Sequence, residues 1–269
     1  MQEFKGLGGF VAKKWILTFC FIGLVPLQSF SQYYTFQDEV NQPSWLDPMK
    51  ASYQVLQQTV NLLKWRFSSE VRPLPTIKYD RLAQFGTWIK DPRSNNCLNT
   101  RAKVLVRDSQ AQVGFAETNP CRVATGTWND PYSGSTFTNA EDVQIDHVVA
   151  LKNAYDSGAY NWSNKYRCLY ANFTAYKNHL LSVSGVENMR KSDKGPERWM
   201  PSNSRFACQH LQNWLAIKFL WKMNMSEAES QAIAQFVSRY RCSAEMFQAN
   251  QVAIMKMRNA IQRDVVICQ

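Results

Sequence analysis

Apolar residues recur at every third or fourth position from Trp45 to Phe67, through Leu46, Met49, Tyr53, Leu56, Val60 and Leu63. This is a helical stripe, and Pro73 and Pro75 end it. Residues 79–145 change rhythm. Short runs such as AKVLVR and ATGTW alternate as strands do, Gly and Pro punctuate them, and DPYSG reads as a turn. Arg101 and Arg107 stand at the two ends of the strand-like run RAKVLVR. Helical spacing returns after residue 150, over 151–158, part of 170–181, 206–223, 226–240 and 243–263. Ser226 with Glu229 three residues later is a capping box. Trp214, Ile217 and Trp221 share one helix face and read as core. The pattern predicts an α+β chain, short β hairpins flanked by N- and C-terminal helices, without internal repeats or a nucleotide-binding glycine motif.

The start of the chain has a different character. Lys5, Lys13 and Lys14 precede an apolar run from Trp15 to Leu27, which closes in Ser29-Phe30-Ser31. Basic, then apolar, then small residues is the order of a signal peptide, with cleavage expected after Ser31. The run is shorter than the about 20 residues of a membrane span. A secreted or periplasmic protein without stable membrane association is therefore expected, an uncleaved N-terminal anchor being the alternative.

Loss of residues 1–31 removes three Lys and one Glu from totals of 31 basic and 21 acidic residues, leaving a net charge of +8. Such a balance suits a polyanion by electrostatic steering, although acidic glycans would be attracted as well as nucleic acid. Cys97, Cys121, Cys168, Cys208, Cys242 and Cys268 remain. An even number in an exported chain reads as disulfides. There is no CxxC and no Cys/His cluster of the kind that holds zinc.

The candidate chemistry lies in residues 141–201. Asp146 and His147 are adjacent, Asn178 follows, and then Asn188, Lys191 and Asp193. Hydrolysis of a phosphodiester needs an activated water and neutralisation of the charge that builds up on phosphorus. An imidazole with an unperturbed pKa of about 6.5 is a suitable base. Asp146 and Asn188 offer hard oxygens to a Mg²⁺ ion whose remaining positions water can fill. Neighbours on a strand point to opposite faces, so Asp146 and His147 can share a cleft only at a strand end or a bulge.

The runs IDHVVAL and NHLLSVSGVENMRKSD resemble HNH (ββα-metal) endonucleases. With YDRLAQFGTWI, CLNTRAKVLVRDS, SGAYNW and DKGPERWMP they are similar to a family of secreted HNH endonucleases over roughly residues 79–242. The resemblance implies a ββα-metal (HNH) core whose hairpin carries the Asp-His pair and whose helix brings an Asn to the same metal. It makes His147 the general base, Asp146 and Asn188 the metal ligands, and Asn178 a structural residue that ties the loop. It implies a divalent cation, Mg²⁺ above all, and DNA as substrate, RNA being a further one. Lys191 and Arg101 are the residues expected at phosphate, while His179 and His210 are read as surface or helix-face residues. Cys168 and Cys268 are additions to the family's four-cysteine pattern. Six cysteines allow 15 pairings. The preferred set is Cys97–Cys121, bracketing NTRAKVLVRDS, and Cys208–Cys242, stapling two helices, with Cys168–Cys268 the remainder.

The expected organisation is a signal peptide at 1–31, an N-terminal helical extension at 32–78, the endonuclease domain at 79–242 and a C-terminal helix at 243–269. Two functions are consistent with it. One is a secreted, metal-dependent, non-specific endonuclease. The other is a disulfide-stapled protein that binds nucleic acid or another polyanion on an inactive HNH scaffold.

Overall fold

In a computed structural model the described residues are the short strand β1, Tyr33–Thr35, and residues 77–268. The signal-like segment, the stripe from Trp45 to Phe67 and most of the expected extension lie outside them.

The first helices owe their positions to caps. Asp80 accepts from the Ala83 amide to open α1, Arg81–Phe85, which closes on Gly86 with φ of 69°. Asn99 accepts from the Ala102 amide to open α2, Thr100–Asp108. The strand-like run RAKVLVR is therefore helix, a correction to the sequence reading. The deciding residue pair is Leu105 and Val106. Strand alternation would bury Val106, but Leu105 is 2% exposed and Val106 40%. Val104 and Leu105 join Ala102 on one helical stripe.

That stripe packs on a three-stranded antiparallel sheet, β2 (Gly114–Ala116), β3 (Asn119–Asn129) and β4 (Thr136–Asn139), in the order β2-β3-β4. Trp128 of β3 is buried and its indole N–H donates to Leu105 O at 2.8 Å. Gly126 is required beside it, since a Cβ there would lie 2.6 Å from the Trp128 ring. Asp130 then folds the DPYSG turn, its carboxylate accepting from the Tyr132 and Ser133 amides and the Ser133 hydroxyl. The turn drives Tyr132 fully inside.

Strand β5, Val143–His147, pairs antiparallel with β6, Leu180–Ser184, in unbroken register from Val143↔Ser184 to His147↔Leu180. The strands are partners across the intervening residues 148–179, not a tight hairpin. Of residues 170–181, expected in part as helix, those up to Asn172 complete α4 (Asn164–Asn172), and a short 3-10 turn, Lys177–His179, leads into β6. Helix α5, Gly185–Lys191, follows β6 at once, capped by Ser184, which accepts from the Glu187 amide.

The larger core is helical: α3 (Leu151–Asp156), α4 (Asn164–Asn172), α6 (Ala207–Leu220), α7 (Glu227–Arg239) and α8 (Gln251–Asp264). Before α8 the segment expected as continuous helix from 243 contains strand β7, Gln248–Asn250, paired with β1. Helix α6 is buried nearly all round, with Leu211, Trp214, Leu215 and Ile217 at 0% exposure. Among the described residues three disulfides form: Cys97–Cys121, Cys168–Cys268 and Cys208–Cys242. Cys168–Cys268, with a separation of 100 residues, ties α4 to the C-terminus. In a chain-entropy account a loop of that size contributes about 4.7 kcal/mol.

Candidate active site

Helix α5 crosses one face of β5. Gly185 eases the approach, as a Cβ there would stand 3.2 Å from the Gln144 side-chain amide, tighter than ordinary contact. Asn188 and Lys191, three residues apart and so on one side of the helix, reach Gln144 and Asp146, two apart and so on one side of the strand. The Asn188 amide donates to Gln144 Oε1 at 2.7 Å. Lys191 Nζ donates to Asp146 Oδ1 at 2.8 Å and to the His147 backbone carbonyl at 2.9 Å. The other carboxylate oxygen, Oδ2, accepts from the Tyr132 hydroxyl at 2.6 Å. Lys191 is 0% and Asp146 4% exposed. Burial pushes the Asp146 carboxyl up from its ordinary value, against the charge and hydrogen bond of Lys191 and the bond from Tyr132. It also holds the Tyr132 hydroxyl well above its usual range, so this group stays a donor.

His147 takes a different set of partners. Its ring is stacked on Trp88, with centroids 5.2 Å apart and planes 2° from parallel, and Tyr170 lies near-parallel at 6.1 Å. Nε2 is 2.9 Å from the Ala171 carbonyl. A carbonyl only accepts, so Nε2 carries the proton and Nδ1 keeps the lone pair. Nδ1 has no partner among the described residues and is not one of the fully enclosed unpaired atoms. Burial, then the neighbouring His179, hold the His147 pKa well below the ordinary value, so the ring is neutral at pH 7. His147 ends β5 without a bulge, and Lys191 bridges it to Asp146, bonding the backbone carbonyl of the first and the side chain of the second.

Several expected roles need correction. Lys191 is not at hand for phosphate, because its ammonium is enclosed on Asp146. Arg101 is partly committed: one guanidinium nitrogen donates to the carbonyls of Ala140 and Val143 at 3.0 and 2.8 Å, clamping α2 to the entry of β5. Both are basic residues that found backbone or carboxylate partners far away in sequence. Nor are His179 and His210 at the surface. His179, 0% exposed, points Nε2 at the Tyr170 carbonyl at 2.7 Å, and burial lowers its pKa to about 4. His210, 1% exposed, is enclosed by Tyr132, Trp199, Phe206 and Trp214, and burial takes its pKa to about 3. Asn178 donates to Asn213 Oδ1 at 3.0 Å and so links the turn before β6 to α6.

Sequence reasoning missed Trp88, Tyr132, Gln144 and Tyr170. Tyr132 lay in the DPYSG turn and Trp88 in YDRLAQFGTWI, but neither string says what the ring will face.

Both carboxylate oxygens of Asp146 already have protein donors, so a divalent ion there would compete with Lys191 and Tyr132, whereas Asn188 engages Gln144 through its amide nitrogen and has no protein donor on its Oδ1 among the described residues. Among the described residues no group of three or more His, Cys, Asp or Glu is placed to hold a metal.

With this geometry in view, the comparisons with known proteins are decisive for the family. Residues 102–236 match the family described as GmrSD restriction endonucleases, C-terminal domain. The chain belongs to that family. The matched span of this GmrSD C-terminal domain contains Asp146, His147, Asn178, Asn188 and Lys191, while Trp88 precedes it. The family description makes it a nuclease domain, with nucleic acid the implied substrate, and agrees with the HNH resemblance carried by residues 141–201. A relative from Arthroderma benhamiae, described as an uncharacterized secreted protein, is 36% identical over 170 residues, covering 62% of this chain and 79% of its own. No solved structure matches the chain. Among the described residues no helix is long and apolar enough to cross a membrane.

Proposed function

We propose that this chain is an exported HNH-type endonuclease that hydrolyses phosphodiester bonds of DNA, and of RNA, with His147 as general base. The observation that carries the reading is the anchoring of His147 on the Ala171 carbonyl, which leaves Nδ1 as the basic nitrogen. In the proposed step Nδ1 takes a proton from a water as that water attacks phosphorus, and the bond to the departing ribose or deoxyribose oxygen breaks. The ring between Trp88 and Tyr170 cannot turn away, so the base is already oriented when substrate arrives. No step is routed through a metal ion: both Asp146 oxygens already accept from protein donors. Export is supported by the secreted relative and by three disulfides, which persist in oxidising compartments.

Substrate capture is assigned to the phosphate backbone rather than to bases. Arg190 projects from α5 with its side chain 66% exposed and one guanidinium nitrogen on Glu187 at 2.8 Å, four residues before Lys194, whose ammonium donates to the Arg190 carbonyl. Affinity is then expected to fall with salt by a slope of about 0.9 per neutralised phosphate on duplex DNA.

The test is plasmid nicking and RNA cleavage by the wild-type chain and His147→Ala, with and without EDTA, alongside near-UV circular dichroism to establish folding. The variant is expected to lose about 10² to 10⁴ in rate, the size of general-base catalysis. Near-full activity in a folded His147→Ala protein would remove the assignment. No cleavage by the wild type under any condition would favour a polyanion-binding scaffold instead.

A further inference from the structure

Two oxygens from adjacent residues converge on one cation at the end of β5. They are Asp146 Oδ1 and the His147 carbonyl, and the cation is the Lys191 ammonium, 2.8 and 2.9 Å from them. A carboxylate oxygen and a backbone carbonyl are the hard donors a divalent ion would use, but Mg²⁺ would stand at about 2.0–2.1 Å and Ca²⁺ at about 2.3–2.6 Å. The observed separations are those of a charge-assisted N–H···O bond. The place is built for a cation, and this chain fills it from within.

Access is closed as well. Lys191 has no exposed surface, and Tyr132 occupies the remaining carboxylate oxygen. The helix ends immediately after Lys191, where Ser192 takes φ of 52° and returns its N–H to Asn188 O at 2.8 Å. That turn fixes where the lysine stem begins. Asn188, the second expected ligand, is oriented on the same helix by its amide nitrogen, which donates to Gln144 Oε1. A divalent ion entering beside the ammonium would meet like charge in a poorly hydrated site, where it is least screened.

We propose that Lys191 is the resident cation of this site, and that its pairing with Asp146 and the binding of a divalent ion to Asp146 exclude each other. The proposal rests on the assignment of Asp146 to the candidate site but not on cleavage. In the resting protein Lys191 holds the Asp146 side chain and the His147 backbone together, so it is a positioning residue for the base. Any divalent ion that reaches Asp146 must first release it.

The experiment is calorimetric titration of the mature chain with Mn²⁺ at pH 7, for wild type, Lys191→Met, and Lys191→Met combined with Asp146→Asn. Methionine keeps the volume and removes the charge. Lys191→Met is expected to bind one ion at least about tenfold more tightly than wild type, the scale on which neighbours of a metal site act, and Asp146→Asn is expected to abolish that gain. Equal or weaker binding by a folded Lys191→Met chain would overturn the proposal. If that variant does not fold, the wild-type Lys191 ammonium resonance, observed by nitrogen-edited NMR during Mg²⁺ titration, decides instead. Its loss in step with a shift of the Asp146 carboxyl signal supports exclusion, and its persistence while that signal shifts overturns it. Nicking is scored separately on the same samples. A protein that never cleaves DNA or RNA would refute the nuclease reading and leave the ion result standing.

Discussion

Among the described residues two lysines are fully buried against a carboxylate, and they do different things. Lys218 of α6 meets Glu229 of α7, with side-chain exposures of 0% and 5%, the same figures as for Lys191 and Asp146. Around Lys218 the hydrogen bonding is closed. Its ammonium donates to Glu229, to the Ser157 hydroxyl at 2.7 Å and to Asn224 O at 2.8 Å, while Glu229 also accepts from Trp214 and completes the Ser226 capping box. Burial lowers the Lys218 pKa, with Glu229 opposing the shift. This pair joins α6, α7 and the end of α3 inside apolar core. The Lys191 pair adjoins a histidine with an available nitrogen and a half-buried Asn188–Gln144 contact. A buried ion pair is therefore no sign of function by itself. What separates the two is whether a group able to do chemistry is held by the pair.

The comparison is broken most readily by activity. His147→Ala is expected to remove about 10² to 10⁴ of cleavage rate, whereas a folded Lys218→Met protein keeps the wild-type rate. Comparable losses from both, measured as single-turnover nicking, would mean that the helical pair also serves the site. In stability the order reverses. Lys218→Met leaves Glu229 in the core without its cation, and urea denaturation is expected to show a loss of about 3 to 5 kcal/mol. Adding Glu229→Leu should return most of it, since an apolar replacement of the whole pair is often neutral. A single variant costing under about 1 kcal/mol would show that Glu229 finds water when its partner goes.

The histidines near the site sharpen the contrast through pH. His179 and His210 have folded values of about 4 and about 3, against an unfolded value of about 6.5. The unfolded chain thus binds more protons between these limits, so both contribute stability above about pH 6.5 that is lost as pH falls toward 4 and 3. The slope should approach about 1.4 kcal/mol per pH unit for each histidine. His210→Phe, within its aromatic enclosure, should flatten the curve, and an unchanged slope in equilibrium denaturation between pH 4 and 6 would count against a neutral buried His210. The smallest effect is expected at the α7 cap. Ser226→Ala should cost about 1 kcal/mol, read by thermal or urea unfolding, without changing cleavage. A much larger loss would show that the cap and the Lys218–Glu229 pair act as one unit through their shared Glu229.

Local signals in the chain were enough for a large part of this architecture. Ser226 and Glu229 marked the start of α7, the spacing of Trp214, Ile217 and Trp221 marked the buried face of α6, and Asp146-His147 marked where the chemistry would be sought. These depend on contacts within one or two turns, or on residue types that a reaction demands, so order along the chain carries them. RAKVLVR was ambiguous because Ala102, Val104 and Val106 satisfy a period of two as well as part of a helical stripe, and only packing against β3 selects Leu105 over Val106. Strand β6 went unread because five residues with little alternation take their pairing from β5, more than thirty positions away.

By itself, then, the sequence determined the mixed class, the helices α3, α6, α7 and most of α8, the disulfide-bearing character and the family, and it raised the expectation of export. Only the tertiary structure decided which cations are free. Arg101 and Lys191 look like phosphate ligands in a basic run, but their partners are the carbonyls of Ala140 and Val143 and the carboxylate of Asp146. The physical reason is that a buried charge persists only where distant groups supply its hydrogen bonds. Those groups arrive through strand pairing and helix crossing, so whether a lysine meets substrate or stands in for a metal ion depends on the fold around it.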